Sequence, residues 1–95
     1  MYARKMVLNC PSGYTPALAA MVQDFIKDGV AYVGVVGSDC ARIEDIIDEL
    51  VVGDGSGDSR YILTASHPGE SLDGAVEIAE SLTGEYEGAV QVVEL

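Results

Sequence analysis

Tryptophan is absent, phenylalanine occurs once and tyrosine five times, so a core built from this chain must be mainly aliphatic, with alanine at its closest contacts. Basic side chains are scarce as well: five Lys and Arg stand against sixteen Asp and Glu, a formal net charge of −11. That balance argues against non-specific binding to nucleic acid or to an anionic membrane, which rests on phosphate neutralisation by cations. A solvated acidic surface or a basic protein partner remains. No apolar run approaches the ~18–20 residues of a membrane helix. The run Met6-Val7-Leu8 after Arg4-Lys5 is too short for the h-region of a signal peptide. Cys10 and Cys40 lie beside separate strand ends, so reduced thiols and a cytoplasmic location are expected. The length of 95 residues fits one domain, residues 1–95.

The stretch Val30–Asp45, VAYVGVVGSDCARIED, begins as a continuous apolar run, passes Gly37-Ser38-Asp39 and becomes amphipathic, with Ile43, Ile46, Ile47 and Leu50 at helical spacing. This is a buried strand feeding a helix. The same arrangement starts earlier from Lys5 and later from Tyr61, and strands alternating with helical crossovers imply a parallel sheet.

In chain order, Met6–Cys10 reads as the first strand, apolar on both faces. Thr15-Pro16 then reads as an N-cap followed by a proline at the first helical position. Leu18, Met21, Val22, Phe25 and Ile26 form the buried stripe of helix one, and Gly29 supplies its left-handed stop. Val30–Val36 is strand two, and Ser38 or Asp39 caps helix two, which runs to Gly53. Gly53–Ser59 is a flexible acidic connection. Tyr61–Ala65 is strand three. Helix three begins near Ser71, buries Leu72, Ala75, Val76, Ala79 and Leu82, and stops at Gly84. After the turn Gly84–Gly88, Ala89–Glu94 is the last strand, with no helix after it.

The expected fold is a small three-layer α/β domain, Rossmann-like or flavodoxin-like, with three helices and a four-stranded, mainly parallel sheet. Strand order 2-1-3-4 is the first choice and 3-2-1-4 the alternative. In the first order the chain reverses between strands one and three, and a ligand crevice forms at their carboxyl ends. Helix one would then cover one face and helices two and three the other. Aliphatic surface on strand four would be left for a homodimer or a protein partner.

The residues delivered to the carboxyl edge are the ones with chemical range. They are Asn9, Cys10, Ser12, Gly13 and Thr15 from the first loop, Ser38, Asp39 and Cys40 from the second, and Ser66 and His67 from the third. Cys10 and His67 are the catalytic candidates, since a thiol near a helix N-terminus can ionise and the only histidine can move protons near neutral pH. Asn9, Ser12, Gly13, Ser38, Asp39 and Ser66 are the ligand-binding candidates. No C-x-x-C or H-x-x-x-H spacing anchors a metal site, and no metal or cofactor is expected. Gly34 and Gly37 match a dinucleotide fingerprint only superficially; close packing at Gly34 and a turn at Gly37 account for them better. No G-K-[ST] occurs, so a Walker loop is absent.

Cys10-Pro11-Ser12-Gly13-Tyr14-Thr15 resembles the C-x-x-G-x-[ST] start of the phosphocysteine loop in the IIB components of sugar phosphotransferase systems. That resemblance implies a four-stranded parallel sheet, Cys10 as phosphoacceptor and loop amides around Ser12 and Gly13 holding the phosphate. Pro11 removes one of those amides. As a whole, in its element order and in the segment Leu63-Thr64-Ala65-Ser66-His67-Pro68, the chain resembles small uncharacterised bacterial α/β proteins that carry a domain-of-unknown-function label. This implies a fold and no activity. The functional expectation is a non-enzymatic protein-interaction or small-ligand-binding module, with a phosphotransfer or thiol-dependent enzyme using Cys10 as the alternative.

Overall fold

The continuous apolar runs fold as strands and the amphipathic runs between them as helices. A computed structural model describes residues 2–52, 62–82 and 88–95. Its elements are β1 (Lys5–Cys10), α1 (Leu18–Asp28), β2 (Tyr32–Gly37), α2 (Cys40–Val52), β3 (Leu63–Ser66), α3 (Leu72–Glu80) and β4 (Val90–Glu94). All strands pair in parallel, in the order β3-β2-β1-β4. The α/β class holds, while the strand order corrects the expected 2-1-3-4 to 3-2-1-4. The physical reason is strand polarity. The two strands that are nearly buried throughout, β1 and β2, occupy the centre. β3, with Thr64 and Ser66, and β4, with Gln91 and Glu94, are only partly covered and take the edges.

That order also corrects the expected distribution of helices. The steps from β1 to β2 and from β2 to β3 run the same way, so right-handed crossovers put α1 and α2 together on one face. The step from β3 to β4 runs back across the sheet and puts α3 on the other. Met6, Leu8, Cys10, Val33 and Val35 pack with Leu18, Val22, Phe25, Ile43 and Ile47 on the first face. Val7, Tyr32 and Val36 pack with Ala75 and Ala79 on the second. Strand four does not lack cover on the helix-one side: Val93 and Leu95 pack against that core, as does Tyr2. Tyr2 meets Phe25 edge-on at 4.8 Å, its backbone N–H donates to Asp28 at 2.8 Å, and Ala3 N–H donates to the Gln91 side chain at 2.7 Å.

The glycine stop of helix one is as the sequence implies, with Gly29 at φ 76° and its N–H returned to Ile26. The expected Thr15 cap is not made. The regular helix starts only at Leu18, with Ala17 at the N-cap, so Thr15 lies two residues too early for its hydroxyl to cap it and contributes its carbonyl instead, which accepts from Leu18 N–H at 3.1 Å. Ser71 is a true cap, its hydroxyl accepting from Gly74 N–H at 3.1 Å. Ser71→Ala should therefore lower stability by about 1 kcal/mol, and Thr15→Ala by less than about 0.5 kcal/mol. Urea titration of the two variants checks this, and equal losses would contradict it. The Gly53–Ser59 connection, the Tyr61 start of strand three and the Gly84 stop lie outside the described residues.

Candidate functional site

Parallel pairing brings every strand's carboxyl end to one edge of the sheet, and the first two exit loops are tied together there. The Cys10 carbonyl accepts from Gly13 N–H at 3.3 Å and from Ser38 N–H at 2.9 Å, and the Ser38 hydroxyl donates to the Pro11 carbonyl at 3.4 Å. Gly37, at φ 108°, lets β2 pass so close to Cys10 that a Cβ at this position would lie 2.6 Å from the Cys10 oxygen. Gly34 is shaped by packing, since Tyr32 lies over it on the same face and its hydroxyl would meet a Cβ there at 2.8 Å. Asp39 takes a left-handed φ of 58°, and its carbonyl accepts from Ile43 N–H at 2.8 Å, the first helical bond of α2. Its carboxylate rests against Gly13, where a Cβ would come within 2.7 Å of Oδ2. Ser12, Ser38 and Asp39 are exposed around this junction, while Gly13 is buried within it.

The third loop is one strand further out. His67 N–H donates to the Val35 carbonyl at 2.9 Å, so the loop lies beside that of β2 and about 10 Å, two strand spacings, from that of β1. Between β2 and β3 the outgoing chains part to opposite faces, the arrangement that forms a crevice in open α/β sheets. Alternation also divides the side chains. Cys10 and Ser66 share the α1–α2 face, through their register with Gly37 and Val35. Asn9 lies on the α3 face, its amide donating to Glu94 Oε2 at 3.4 Å, and His67 continues the α3-side row of Ala65. His67 Nε2 is buried, with no hydrogen-bond partner among the described residues. Cys10 and His67 thus share an edge of the sheet but not a face.

Cys10 is fully buried, its thiol directed at the Leu8 carbonyl at 3.9 Å, and Cys40 lies in the same core cluster. Both cysteines are free. Burial, with the nearby Cys40 thiol adding to it, pushes the Cys10 thiol from 9.0 up to about 11. Among the described residues no group of three or more His, Cys, Asp and Glu side chains could hold a metal ion.

The first loop meets α2 at one contact that sequence reading passed over. The Arg42 guanidinium lies over the Tyr14 ring at 5.6 Å from its centroid, and both residues are exposed. Arg42 is the only Lys or Arg at the carboxyl edge among the described residues, because Arg4 precedes β1, Lys5 opens it and Lys27 lies in the last turn of α1. The signal was available: Arg42 follows Asp39 within one helical turn, and Tyr14 sits in the loop that the same strand edge must approach. The pattern of the domain of unknown function DUF7684 matches residues 11–93. The chain belongs to that family. No curated protein and no solved structure matches it. The matched residues of this DUF7684 domain include both tied loops apart from Asn9 and Cys10. Among the described residues no helix is long and apolar enough to cross a membrane.

Proposed function

We propose that this DUF7684 chain is a non-enzymatic protein-interaction or small-ligand-binding module of the cytoplasm, and that its ligand surface is the carboxyl edge of the sheet. The observation that supports this reading is the state of Cys10. Thiol or phosphocysteine chemistry needs an accessible thiolate, whereas this thiol is fully buried and held near pKa 11. What the edge offers instead is hydrogen-bonding range. Ser12, Ser38 and Asp39 are exposed around the Gly13 junction, Ser66 and Asn9 flank it, and Arg42 stands over Tyr14. Such a surface suits a small polar ligand or a polar peptide, held by hydroxyls, a carboxylate and one guanidinium.

Native protein treated with iodoacetamide at pH 8 should leave Cys10 unmodified over a period in which a free thiol reacts fully, and unfolding should expose both thiols. The sign of the pH effect follows from the raised pKa: the folded state holds the Cys10 proton more tightly. The stability it contributes is therefore complete below pH 9.0 and is lost as pH rises through about 11. Rapid native modification of Cys10, or its phosphorylation by a phosphohistidine donor, would return the enzyme reading. Amide chemical shifts recorded against a library of small polar compounds should move at residues 12–15, 38–42 and 66–67. Hits that move only other regions would remove the proposed surface.

A further inference from the structure

We infer that β4 is the self-association edge of this protein, pairing antiparallel with β4 of a second copy about a two-fold axis at Val92. β4 ends the sheet order, so among the described residues one side of it has no strand neighbour. Leu95 N–H donates to the Asn9 carbonyl, and Asn9 is in register with Glu94, so the backbone groups of Val93 and Leu95 point toward β1. By alternation those of Val90, Val92 and Glu94 point outward. Among the described residues no backbone hydrogen bond reaches them.

Edge strands are commonly protected by lysine, proline, bulges or outward charge. β4 reads VQVVE, with no lysine or proline, and its polar side chains are already engaged: Gln91 accepts from Ala3 N–H and Glu94 from Asn9. Val92 is 46% exposed, more than Tyr14 or Ile78, the other exposed large hydrophobic residues among those described. A second copy is the occupant that the strand's own register fits. Centring the axis on Val92 makes a hydrogen-bonded Val92–Val92 pair that uses the outward groups of both copies. Each Glu94 then faces the partner's Val90. The two Glu94 carboxylates stay about 14 Å apart along the strands, so like charges do not oppose directly. Cross-strand contact of the two Val92 side chains covers the apolar surface on the α3 face.

The net charge of −11 on each copy opposes association at long range, so screening should strengthen it. Sedimentation velocity over a concentration series should show a monomer–dimer equilibrium whose Kd falls as salt rises. Val92→Pro removes only an outward N–H, which an edge strand tolerates, and Val92→Glu sets two carboxylates against each other at the axis. Each should weaken dimerisation at least about tenfold while circular dichroism and the unfolding midpoint show a folded monomer. In wild type the Val92 amide should gain hydrogen-exchange protection as concentration rises, a readout that does not depend on any variant folding. A monomer at every concentration and salt would overturn the inference. So would a dimer unaffected by both substitutions, or one in which the Val92 amide stays unprotected.

Discussion

Gly37→Ala should lower the stability of the protein by about 4 kcal/mol, a large fraction of the 5–14 kcal/mol expected for a domain of this size. Two costs combine. At φ 108° the position lies where L side chains are rarely found, which costs about 1–3 kcal/mol by itself. An added methyl would also meet the Cys10 backbone, 2.6 Å from its oxygen, 2.9 Å from its carbonyl carbon and 3.1 Å from its nitrogen. That atom set cannot swing aside like a side-chain end, because the Cys10 carbonyl is held by Gly13 and Ser38 and Cys10 belongs to the central strand. Gly29→Ala is the control. It shares a left-handed φ of 76° but a Cβ there would meet no described atom within 4 Å, so it should cost only about 1 kcal/mol. Chemical denaturation of both variants separates strain from collision. A Gly37→Ala loss no larger than that of Gly29→Ala would mean that the two loops are not pinned where the geometry has them.

This junction also shows what could be read from sequence and what could not. The alternation of strands and helices was legible because β1 and β2 are continuous apolar runs and the helices keep a 3.6-residue stripe, and Gly29 and Ser71 end or start their helices by local chemistry alone. Strand order was not fixed by those signals, since both orders use the same right-handed crossovers. The evidence lay in composition: Thr64 and Ser66 make β3 an edge strand, whereas order 2-1-3-4 would have buried it between two neighbours. Thr64 uses its edge position to donate toward Glu44 and Asp48 of α2. The candidate site inherited this ambiguity. That Cys10 and His67 reach the same edge follows from parallel pairing, but the face each side chain takes depends on which helices cover which face. With α1 and α2 together, the Met6, Leu8, Cys10 row is fully buried, and the thiol enters the core with it.

At the opposite end of β1 the same alternation buries a charge, and Lys5→Glu should be the second severe substitution, with a loss of at least about 3 kcal/mol. Lys5 is only 1% exposed, on the α3 face with Val7, and its ammonium donates to the Leu82 carbonyl at 3.3 Å. Leu82 follows directly on the C-cap of α3, where the unpaired carbonyls carry the negative end of the helix dipole. A cation there satisfies a carbonyl to which no other described residue donates, and its aliphatic stem fills the space beside the strand. A glutamate would place a second negative group against those carbonyls with no donor between them. Lys5→Met keeps the stem and loses the charge-assisted bond, so its cost should be nearer 1–2 kcal/mol. The two substitutions also differ in pH response. A carboxyl buried at this position has a raised pKa, so the deficit of Lys5→Glu relative to Lys5→Met should be full above that raised value and shrink as pH falls from it toward the ordinary glutamate value of about 4.3, where the unfolded chain also takes up its proton. Urea titrations of wild type and both variants at pH 4 and pH 7 test this. Equal losses for glutamate and methionine at both pH values would show that the ammonium contributes only its stem, and that the carboxyl end of α3 is satisfied without it.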